Sequence, residues 1–370
     1  MSDIVVGGQL TLDLYPALEN VSLAALLTPG QAFEIGAMTF STGGAVSNTG
    51  LALYRLGADV KLVALVGDDV IGRVILAFLQ EHDPALTEYI RVQPGESSAY
   101  TVILSPERVD RIMLQFPGTN RSFDITSIDF AAVQAARIFH LGYPTLLPRL
   151  LADDGEQLEA IFRSAKSQGV VTSLDSALPD PAALSGQVNW RRILERTLPY
   201  VDVFVPSIRE IIYMLRRDDY TLWGSDVLPH ISAAYLQSLA AELLGIGAAI
   251  VGFKLGVMGL YLQAGQRDRL ERVGAVLPVE PATWADARVW QTAFRVTVAG
   301  TTGAGDAAYA GLLLALLHGL SPQDSARMAN AVGACSVETT EGTSGVLSWD
   351  ATMRRVADGW ATLPTNLPTL

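Results

Sequence analysis

The chain has 370 residues, of which 49% are hydrophobic and 17% are charged, so it carries enough apolar material for a large core and is not a disordered protein. It holds 26 lysines and arginines against 38 aspartates and glutamates, which gives a formal charge of −12. Because an acidic surface repels a phosphate backbone, this balance disfavours nucleic acid as a partner.

Cysteine and histidine usage excludes several kinds of site. Cys335 is the single cysteine of the chain, which rules out an intrachain disulfide, and the four histidines are scattered without metal-ligand spacing. The first residues carry an acid and no basic run, so we expect no secretory signal. No uncharged apolar stretch reaches the ~20 residues that a membrane helix needs. These features predict a cytoplasmic protein with no membrane partner.

In chain order, short β-branched runs alternate with segments of helical length and apolar periodicity. The predicted strands are 4–6, 60–66, 138–141, 170–174, 201–205, 248–253, a strand around 261–262, and 294–298. The predicted helices are 45–56 with Gly57 as C-cap, 70–79, 158–167, 233–244, 304–317 and 325–337. This alternation predicts an α/β protein with a mostly parallel sheet covered by helices.

Two segments depart from the alternation. Residues 100–104 and 111–116, joined by the polar residues 105–110, predict exposed strands that form a small β flap. The polar segment 264–292, which contains Trp284 and Trp290, is interpreted as a long insertion. Long insertions in compact domains are often functional or mobile.

The stretch that says most about chemistry is Gly300-Thr301-Thr302-Gly303-Ala304-Gly305-Asp306, between a predicted strand and a predicted helix. Small residues let backbone N–H groups approach an anion, and a helix N-terminus adds unpaired donors. These features predict a site for a phosphoryl group. Asp306 would be repelled by that ligand, which suits a base that takes a proton from an attacking hydroxyl. On spacing alone, a glycine turn followed by an ordinary helix-starting acid is an equal alternative.

Two motifs in the expected order resemble the signatures of the PfkB/ribokinase family of carbohydrate kinases. Gly43-Gly44-Ala45-Val46-Ser47-Asn48, followed by Val66-Gly67-Asp68-Asp69, is similar to the N-terminal signature, and 301–306 resembles the C-terminal one. The resemblance implies a three-layer α/β/α sandwich, ribokinase-like, with a mostly parallel central sheet and a small β-sheet lid over the sugar. We expect a single domain over 1–370, with a discontinuous lid from about 10–42 and 98–118.

The resemblance also implies roles for individual residues. The implied site consists of the catalytic base Asp306, the anion hole Gly303, Ala304 and Gly305, the sugar ligands Asp13, Gly43, Gly44 and Asn48, and the ATP-site glycines Gly256 and Gly259. A carboxylate and a carboxamide suit a polyol, because together they accept and donate several hydrogen bonds. The alternatives are a solvated turn acid at Asp13, a helix-start cap at Asn48 and an ordinary turn at the two ATP-site glycines.

The sequence departs from the family pattern at two places. The family's Asn-x-x-Glu motif, which is linked to magnesium, appears here as Ser207-Ile208-Arg209-Glu210. Glu210 therefore carries over as an indirect magnesium residue, while Ser207 replaces the amide. The family often has an acid where Gly300 stands, so the sequence leaves open whether a monovalent cation binds there.

The implied activity is phosphoryl transfer from ATP, with Mg²⁺, to a hydroxyl of a small sugar. A nucleoside kinase of the same fold is the nearest alternative, and a sugar- or nucleotide-sensing protein without catalysis is an alternative from another class. The retained Asp306 favours the enzyme, because a sensor has no need of a base. Flaps of the predicted type can pair edge strands between subunits, which leaves a homodimer open.

Overall fold

The computed structural model describes residues 2–18, 21–106, 112–340 and 342–364. The strands in these residues are β1 (Ser2–Gly8), β2 (Thr11–Pro16), β3 (Met38–Gly43), β4 (Val60–Gly67), β5 (Ile90–Gln93), β6 (Tyr100–Leu104), β7 (Ile112–Phe116), β8 (Ala136–Gly142), β9 (Val171–Leu174), β10 (Val203–Phe204), β11 (Ile250–Lys254), β12 (Leu260–Ala264) and β13 (Arg288–Gln291). The α-helices are α1 (Leu23–Leu26), α2 (Gly44–Leu56), α3 (Val70–His82), α4 (Phe130–Gln134), α5 (Pro148–Ser167), α6 (Leu184–Gln187), α7 (Trp190–Thr197), α8 (Ile208–Leu215), α9 (Arg217–Trp223), α10 (Ala233–Ile246), α11 (Arg267–Gly274), α12 (Pro281–Trp284), α13 (Ala304–Leu317), α14 (Pro322–Ser336) and α15 (Trp349–Ala357). Short 3-10 helices lie at Pro84–Thr87, Gly118–Arg121, Ile125–Ser127, Pro144–Leu146, Leu198–Tyr200, Leu228–His230 and Gly256–Met258.

The central sheet has the strand order β13-β12-β11-β10-β9-β8-β1-β4-β5. Every neighbouring pair from β5 to β11 is parallel, and β12 and β13 extend the sheet as antiparallel strands. Parallel neighbours need long crossover connections, which the helices provide. Ile4 shows the register, because it pairs with Val60 on one side and with Ile138 on the other.

Helices cover both faces of this sheet. Ile4 and Val6 belong to a core shared with α2, α3, α13 and α14, whereas Val5 belongs to a second core shared with α5, α7, α8 and α10. All three side chains are fully buried, as expected for a strand that is covered on both faces. The predicted three-layer α/β/α sandwich with a mostly parallel sheet is confirmed.

A separate sheet of four strands has the order β3-β2-β6-β7. In it, β2 runs antiparallel to β3 and parallel to β6, and β6 runs antiparallel to β7. Apart from Gly43, the last residue of β3, these strands fall within the predicted lid segments 10–42 and 98–118. Residues 107–111, which include most of the predicted connection 105–110 and the first residue of the predicted strand 111–116, lie outside the described residues. The lid role and the single-domain assignment for 1–370 stay predictions.

Helix α13 begins and ends at the predicted residues. Gly303 precedes it with φ of 73°, a conformation that favours glycine, and the chain turns there into the helix. Apart from Asp306 and the hydroxyl of Tyr309, its side chains are apolar on all faces, as expected for a helix that is packed between α2 and α14. At 14 residues it is nevertheless too short to span a bilayer. Within the described ranges, no helix combines the length and the apolar character required for a membrane span.

The predicted strand 294–298 is wrong. Phe294 forms only an isolated bridge, with Thr362, and residues 295–298 belong to no strand. The reason is that β13, at residues 288–291, already pairs with β12 and occupies that edge of the sheet. The chain then leaves the sheet, and Val296 and Val298 line a cavity instead.

The segment 264–292 is part of the fold and not an insertion, so that interpretation is wrong. It forms α11, α12 and β13, which connect β12 to the last strand of the sheet. Trp284 and Trp290 are buried, and their indole N–H groups donate to the carbonyl oxygens of Leu320 and Met258 at 3.1 and 3.0 Å. The polar residues in this segment misled the prediction because they lie mainly on the exposed side of the amphipathic α11.

Candidate active site

Asp306 lies in the first turn of α13, beside the carboxyl ends of the central parallel strands. Its side chain is buried, with 2% of the residue exposed. Nδ2 of Asn48 donates to Oδ2 of Asp306 at 3.0 Å, and the hydroxyl of Tyr143 lies 2.7 Å from both carboxylate oxygens. Asn48 belongs to α2 and Tyr143 directly follows β8, so three elements meet at this carboxylate.

The surroundings of Asp306 tune its basicity. Burial raises the pKa of Asp306 to about 6, and the negative charge of Asp175 adds to the rise. The positive charge of Lys254 and the hydrogen bonds from Tyr143 and Asn48 act in the opposite direction. The carboxyl is therefore mostly ionised at neutral pH, yet it is a stronger base than a solvated aspartate. This combination suits a group that accepts a proton from a hydroxyl.

A second group of charges surrounds Lys254, the last residue of β11. Its Nζ lies 2.7 Å from both carboxylate oxygens of Asp175, which directly follows β9. Burial raises the pKa of Asp175, against the opposing effect of Lys254. Burial alone would lower the pKa of Lys254, but the negative charges of Asp175, Glu210 and Asp306 outweigh it, so the pKa is raised and the ammonium stays charged.

Glu210 approaches the same group from the first turn of α8. Its Oε2 accepts a hydrogen bond from the backbone N–H of Ser207 at 2.9 Å, and Oγ of Ser207 accepts from the N–H of Glu210 at 3.3 Å. This reciprocal pair is a capping box that fixes the start of the helix. Burial raises the pKa of Glu210 to about 7, while Lys254 lowers it and Asp175 raises it further.

The carboxylate of Glu210 fits one mode of magnesium binding. Among the described residues, no group of three or more histidine, cysteine, aspartate or glutamate side chains could hold a metal ion by itself. Mg²⁺ is commonly held in kinases by one or two carboxylates together with phosphate oxygens and waters, and not by an all-protein cage. Glu210 has the chemistry for that partial role, whereas both carboxylate oxygens of Asp175 already accept hydrogen bonds from Lys254.

Asp13, Gly43 and Gly44 meet at the end of the four-stranded sheet nearest α2. A Cβ atom placed on Gly43 would lie 2.2 Å from Oδ2 of Asp13. A Cβ atom placed on Gly44, which has φ of 85°, would lie 2.1 Å from Oε1 of Gln9. Both glycines therefore allow a polar side chain to pack directly against the backbone.

The structure excludes the two alternative interpretations of Asp13 and Asn48. Asp13 lies in β2 with 8% of the residue exposed, so it is not a solvated turn acid. Burial raises its pKa to about 7, although hydrogen bonds from Thr101 and Tyr15 act against the rise. Asn48 does not cap α2, because Gly43 is the N-cap and the Asn48 amide is bonded to Asp306.

A first cavity, of about 360 Å³, opens beside the glycine-rich loop. Its walls include Lys254, Gly256, Val257, Gly259, Val296, Val298, Thr301, Ala304 and Gly305. The two predicted ATP-site glycines thus share a cavity with most of the predicted anion hole. Gly259 also has a packing role, because a Cβ atom there would lie 2.0 Å from the carbonyl oxygen of Gln291.

A second cavity, of about 320 Å³, lies between the four-stranded sheet and the residues that follow β8. Gln9, Thr101 and Thr145 give it polar walls, and Phe116 and Leu146 give it apolar ones. Oε1 of Gln9 and Oγ1 of Thr145 are buried and have no hydrogen-bond partner in the described part of the chain. Buried polar atoms are normally paired, so these oxygens suit a ligand that carries several hydroxyl groups.

Sequence reasoning brought most of these residues together but missed three that contact the charged groups. Tyr143 directly follows β8, Asp175 directly follows β9, and Lys254 ends β11. The usable signal was position, because ligands of open α/β sheets bind at the carboxyl ends of parallel strands. Gly303 also belongs to the assembled site, since a Cβ atom on it would lie 3.6 Å from Cγ of Asn48.

Known proteins are similar to this chain in sequence and in fold. Residues 1–349 match the profile of the pfkB family carbohydrate kinases. An uncharacterized sugar kinase of Archaeoglobus fulgidus is 26% identical over 291 residues, which cover 78% of this chain and 95% of that protein. The 2-dehydro-3-deoxygluconokinase of Bacillus subtilis is 24% identical over 313 residues, covering 81% of this chain and 82% of the relative.

The fold comparison agrees with the sequence comparison. The structure of Arabidopsis thaliana ribokinase complexed with ribose and ATP superposes with a TM-score of 0.72 at 18% identity, covering 95% of this chain and 98% of that one. The predictions of a ribokinase-like fold and of a carbohydrate kinase are confirmed. The family match spans both signature motifs and the charged residues around Asp306, and the chain belongs to the pfkB family of carbohydrate kinases.

Proposed function

We propose that this kinase transfers the γ-phosphoryl group of ATP to a hydroxyl of a small sugar and that Asp306 is the base. The observation that carries this assignment is the buried carboxylate of Asp306, whose pKa is raised to about 6, directly after Ala304 and Gly305 in the wall of the first cavity. A carboxylate in that position takes the proton that the attacking hydroxyl loses as its bond to phosphorus forms.

The first cavity is the proposed ATP site. Gly303, Ala304 and Gly305 place backbone N–H groups of the α13 N-terminus where phosphate oxygens can accept hydrogen bonds. Val257 and Val298 line the same cavity and are 65% and 59% exposed. Apolar side chains left this open suit the flat face of a purine ring, which would cover them.

The sugar is proposed to bind on the other side of Asp306. Asn48 links the two regions, because it bonds to Asp306 and belongs to the helix that begins at Gly44. Asp13, Gly43 and Gly44 supply a carboxylate and close backbone approach, and the unpaired oxygen of Gln9 lies next to Gly44. The four-stranded sheet is the proposed lid, which would exclude water and so favour transfer over hydrolysis of ATP.

Magnesium is proposed to enter with ATP, where it supplies positive charge to the phosphate oxygens. Glu210 would orient waters bound to the ion, because its carboxylate lies within the charged group around Lys254. Glu210→Gln should therefore raise the magnesium concentration needed for half-maximal rate. An unchanged magnesium titration in a variant that melts like the parent would remove Glu210 from the site.

The experiment that tests the proposed function is a coupled assay of ADP release over a panel of sugars, sugar acids and nucleosides. We expect sugar-dependent ADP release well above the ATP hydrolysis measured without an acceptor. If nucleosides alone were turned over, the acceptor would be a nucleoside and not a sugar. Tight ligand binding without any turnover would instead support a sensing protein without catalysis.

Three further properties are proposed with their own tests. Activation by a monovalent cation is tested by titrating potassium at constant ionic strength. A homodimer that uses the four-stranded sheet is proposed because Phe40 and Met113, on its two edge strands, are 44% and 62% exposed. Analytical ultracentrifugation, which measures the mass of the particle in solution, tests it. The cytoplasmic location stays a prediction that cell fractionation tests.

A further inference from the structure

Lys254 occupies a position that the family motifs do not explain. It is the last residue of β11, and its side chain is 13% exposed. Its aliphatic stem and ammonium lie under the first turn of α13, where a Cβ atom placed on Gly305 would be 3.5 Å from both Cδ and Nζ. The amine therefore lies beside the residue around which the phosphate cradle is built.

The ammonium is held in one orientation by several contacts. Both oxygens of Asp175 accept hydrogen bonds from it at 2.7 Å, and the ring centre of Tyr309 lies 5.5 Å from Nζ. A lysine side chain normally samples many rotamers, and fixing it costs roughly 2 kcal/mol of entropy. A cation that is fixed in advance loses nothing further when an anion binds beside it.

The charge balance of the first cavity depends on this lysine. Lys254 is the one positively charged side chain among the described residues that line the first cavity. It faces three carboxylates, Asp175, Glu210 and Asp306, and their combined charge keeps it protonated. A triphosphate entering this cavity adds further negative charge, which only magnesium, backbone dipoles and this ammonium can offset there.

We propose that Lys254 is a catalytic residue that contacts the transferring phosphoryl group and stabilises its charge in the transition state. The inference rests on the proposed ATP site and goes beyond it, because neither signature motif contains this residue. Asp175 is then a positioning residue, which aims the ammonium across Gly305 towards the phosphate. No bond of Lys254 is made or broken, and the hydroxyl proton still goes to Asp306.

The competing explanation is a buried ion pair that serves only stability. Breaking such a pair by removing one partner typically destabilises a protein by about 3–5 kcal/mol. Loss of activity in a single variant would therefore be ambiguous if that variant failed to fold. The double variant Lys254→Gln with Asp175→Asn avoids this problem, because it replaces two opposite charges by two neutral side chains that can still form a hydrogen bond.

The test compares Lys254→Gln, the double variant and a matched control, Lys166→Gln. Lys166 pairs with Asp202 at 2.5 Å and is 24% exposed, so it is a partly buried lysine–aspartate pair away from the cavity. We expect kcat of both site variants to fall by at least about 100-fold, as for cationic groups in other phosphoryl-transfer enzymes. The control should melt at a lower temperature but keep its kcat.

A second readout separates charge stabilisation from folding. Lys254 lowers the pKa of Asp306, which also faces Asp175, Tyr143 and Asn48. In the single variant, the acid limb of the pH–rate profile should therefore move to higher pH. A folded double variant with a kcat within about threefold of the parent would overturn the proposal. A parent protein without ATP-dependent turnover of any acceptor would instead refute the proposed function.

Discussion

Replacing Asp306 by asparagine should change activity and stability in opposite directions. The side chain keeps its shape, and Tyr143 can still donate a hydrogen bond to the remaining carbonyl oxygen. What the protein loses is a proton acceptor, and general-base catalysis is typically worth about 10²–10⁴-fold, or roughly 3–5 kcal/mol. We expect kcat to fall by at least about 100-fold at pH 8.

The stability change follows from the pKa. The carboxyl of Asp306 has a pKa of about 6 in the folded protein against an ordinary value of 3.8. The folded state thus binds this proton more tightly than the unfolded state, so ionisation of Asp306 destabilises the fold. This penalty is zero below pH 3.8, grows between pH 3.8 and 6, and reaches its full size above pH 6. At ~1.36 kcal/mol per pKa unit, the full penalty is roughly 3 kcal/mol.

Asparagine removes this penalty but introduces a cost of its own. Asn48 donates to Oδ2 of Asp306, and an amide nitrogen at that place would set two donors against each other unless Asn48 turns its amide round. An unpaired buried donor costs about 1–3 kcal/mol. We therefore expect the variant to melt at or above the parental temperature at pH 8 and to lose this advantage near pH 4.5.

Single-turnover phosphoryl transfer and melting curves at the two pH values provide the measurements. If Asp306 were an ordinary helix-starting acid, its replacement would remove a favourable interaction with the helix dipole. The free energy of unfolding would then fall by a few tenths of a kcal/mol, and the rate would stay the same. A near-parental rate in the variant would refute the base assignment. A melting temperature that fell equally at both pH values would refute the account of its electrostatics.

Three other variants test neighbouring parts of the site. Asp13→Ala should weaken sugar binding by about 10- to 100-fold in calorimetry, because a buried acceptor is lost, while ATP binding stays the same; equal sugar affinity would move Asp13 out of the sugar site. A Cβ atom on Gly305 meets Lys254 at an ordinary 3.5 Å, and in a Gly305→Val variant that melts like the parent the larger side chain should block the phosphate and lower turnover by at least about 100-fold; full turnover would show that the loop does not hold the phosphate. Tyr143→Phe removes a hydrogen bond that lowers the pKa of Asp306, so the acid limb of kcat/KM should shift above pH 6, whereas an unshifted limb would mean that the two side chains are uncoupled in the working enzyme.

The parts of the fold that sequence predicted well are those in which local and tertiary preferences agree. Helix α13 was predicted to the residue, because its small-residue start and its apolar length are both local signals. The strand at 294–298 failed for the opposite reason. Its β-branched residues favour a strand, but whether they pair depends on a sheet edge that β13 already occupies.

The candidate site residues also differ in how far local sequence signals predict them. The sequence predicts Asp306, Gly303 and Asn48 as site residues because they lie in motifs with a recognisable spacing along the chain. Tyr143 and Lys254 stand alone after different strands, and nothing nearby in sequence marks them. They join the candidate site only because parallel strands bring their carboxyl ends to one edge.

Lys254 shows why such residues need a structure to be interpreted. A lysine at the end of a strand is ordinarily exposed, and its sequence neighbours, Phe253 and Leu255, are buried core residues that say nothing of charge. Its partner Asp175 lies 79 residues away, and the carboxylates of Glu210 and Asp306 come from helices α8 and α13. The raised pKa of Asp306 and the fixed charge of Lys254 are thus two consequences of one arrangement, in which burial makes each carboxylate costly and a single ammonium must balance them. Any substitution that removes one of these charges should change the titration of the others, so the pH–rate profile is the measurement that reports on the arrangement as a whole.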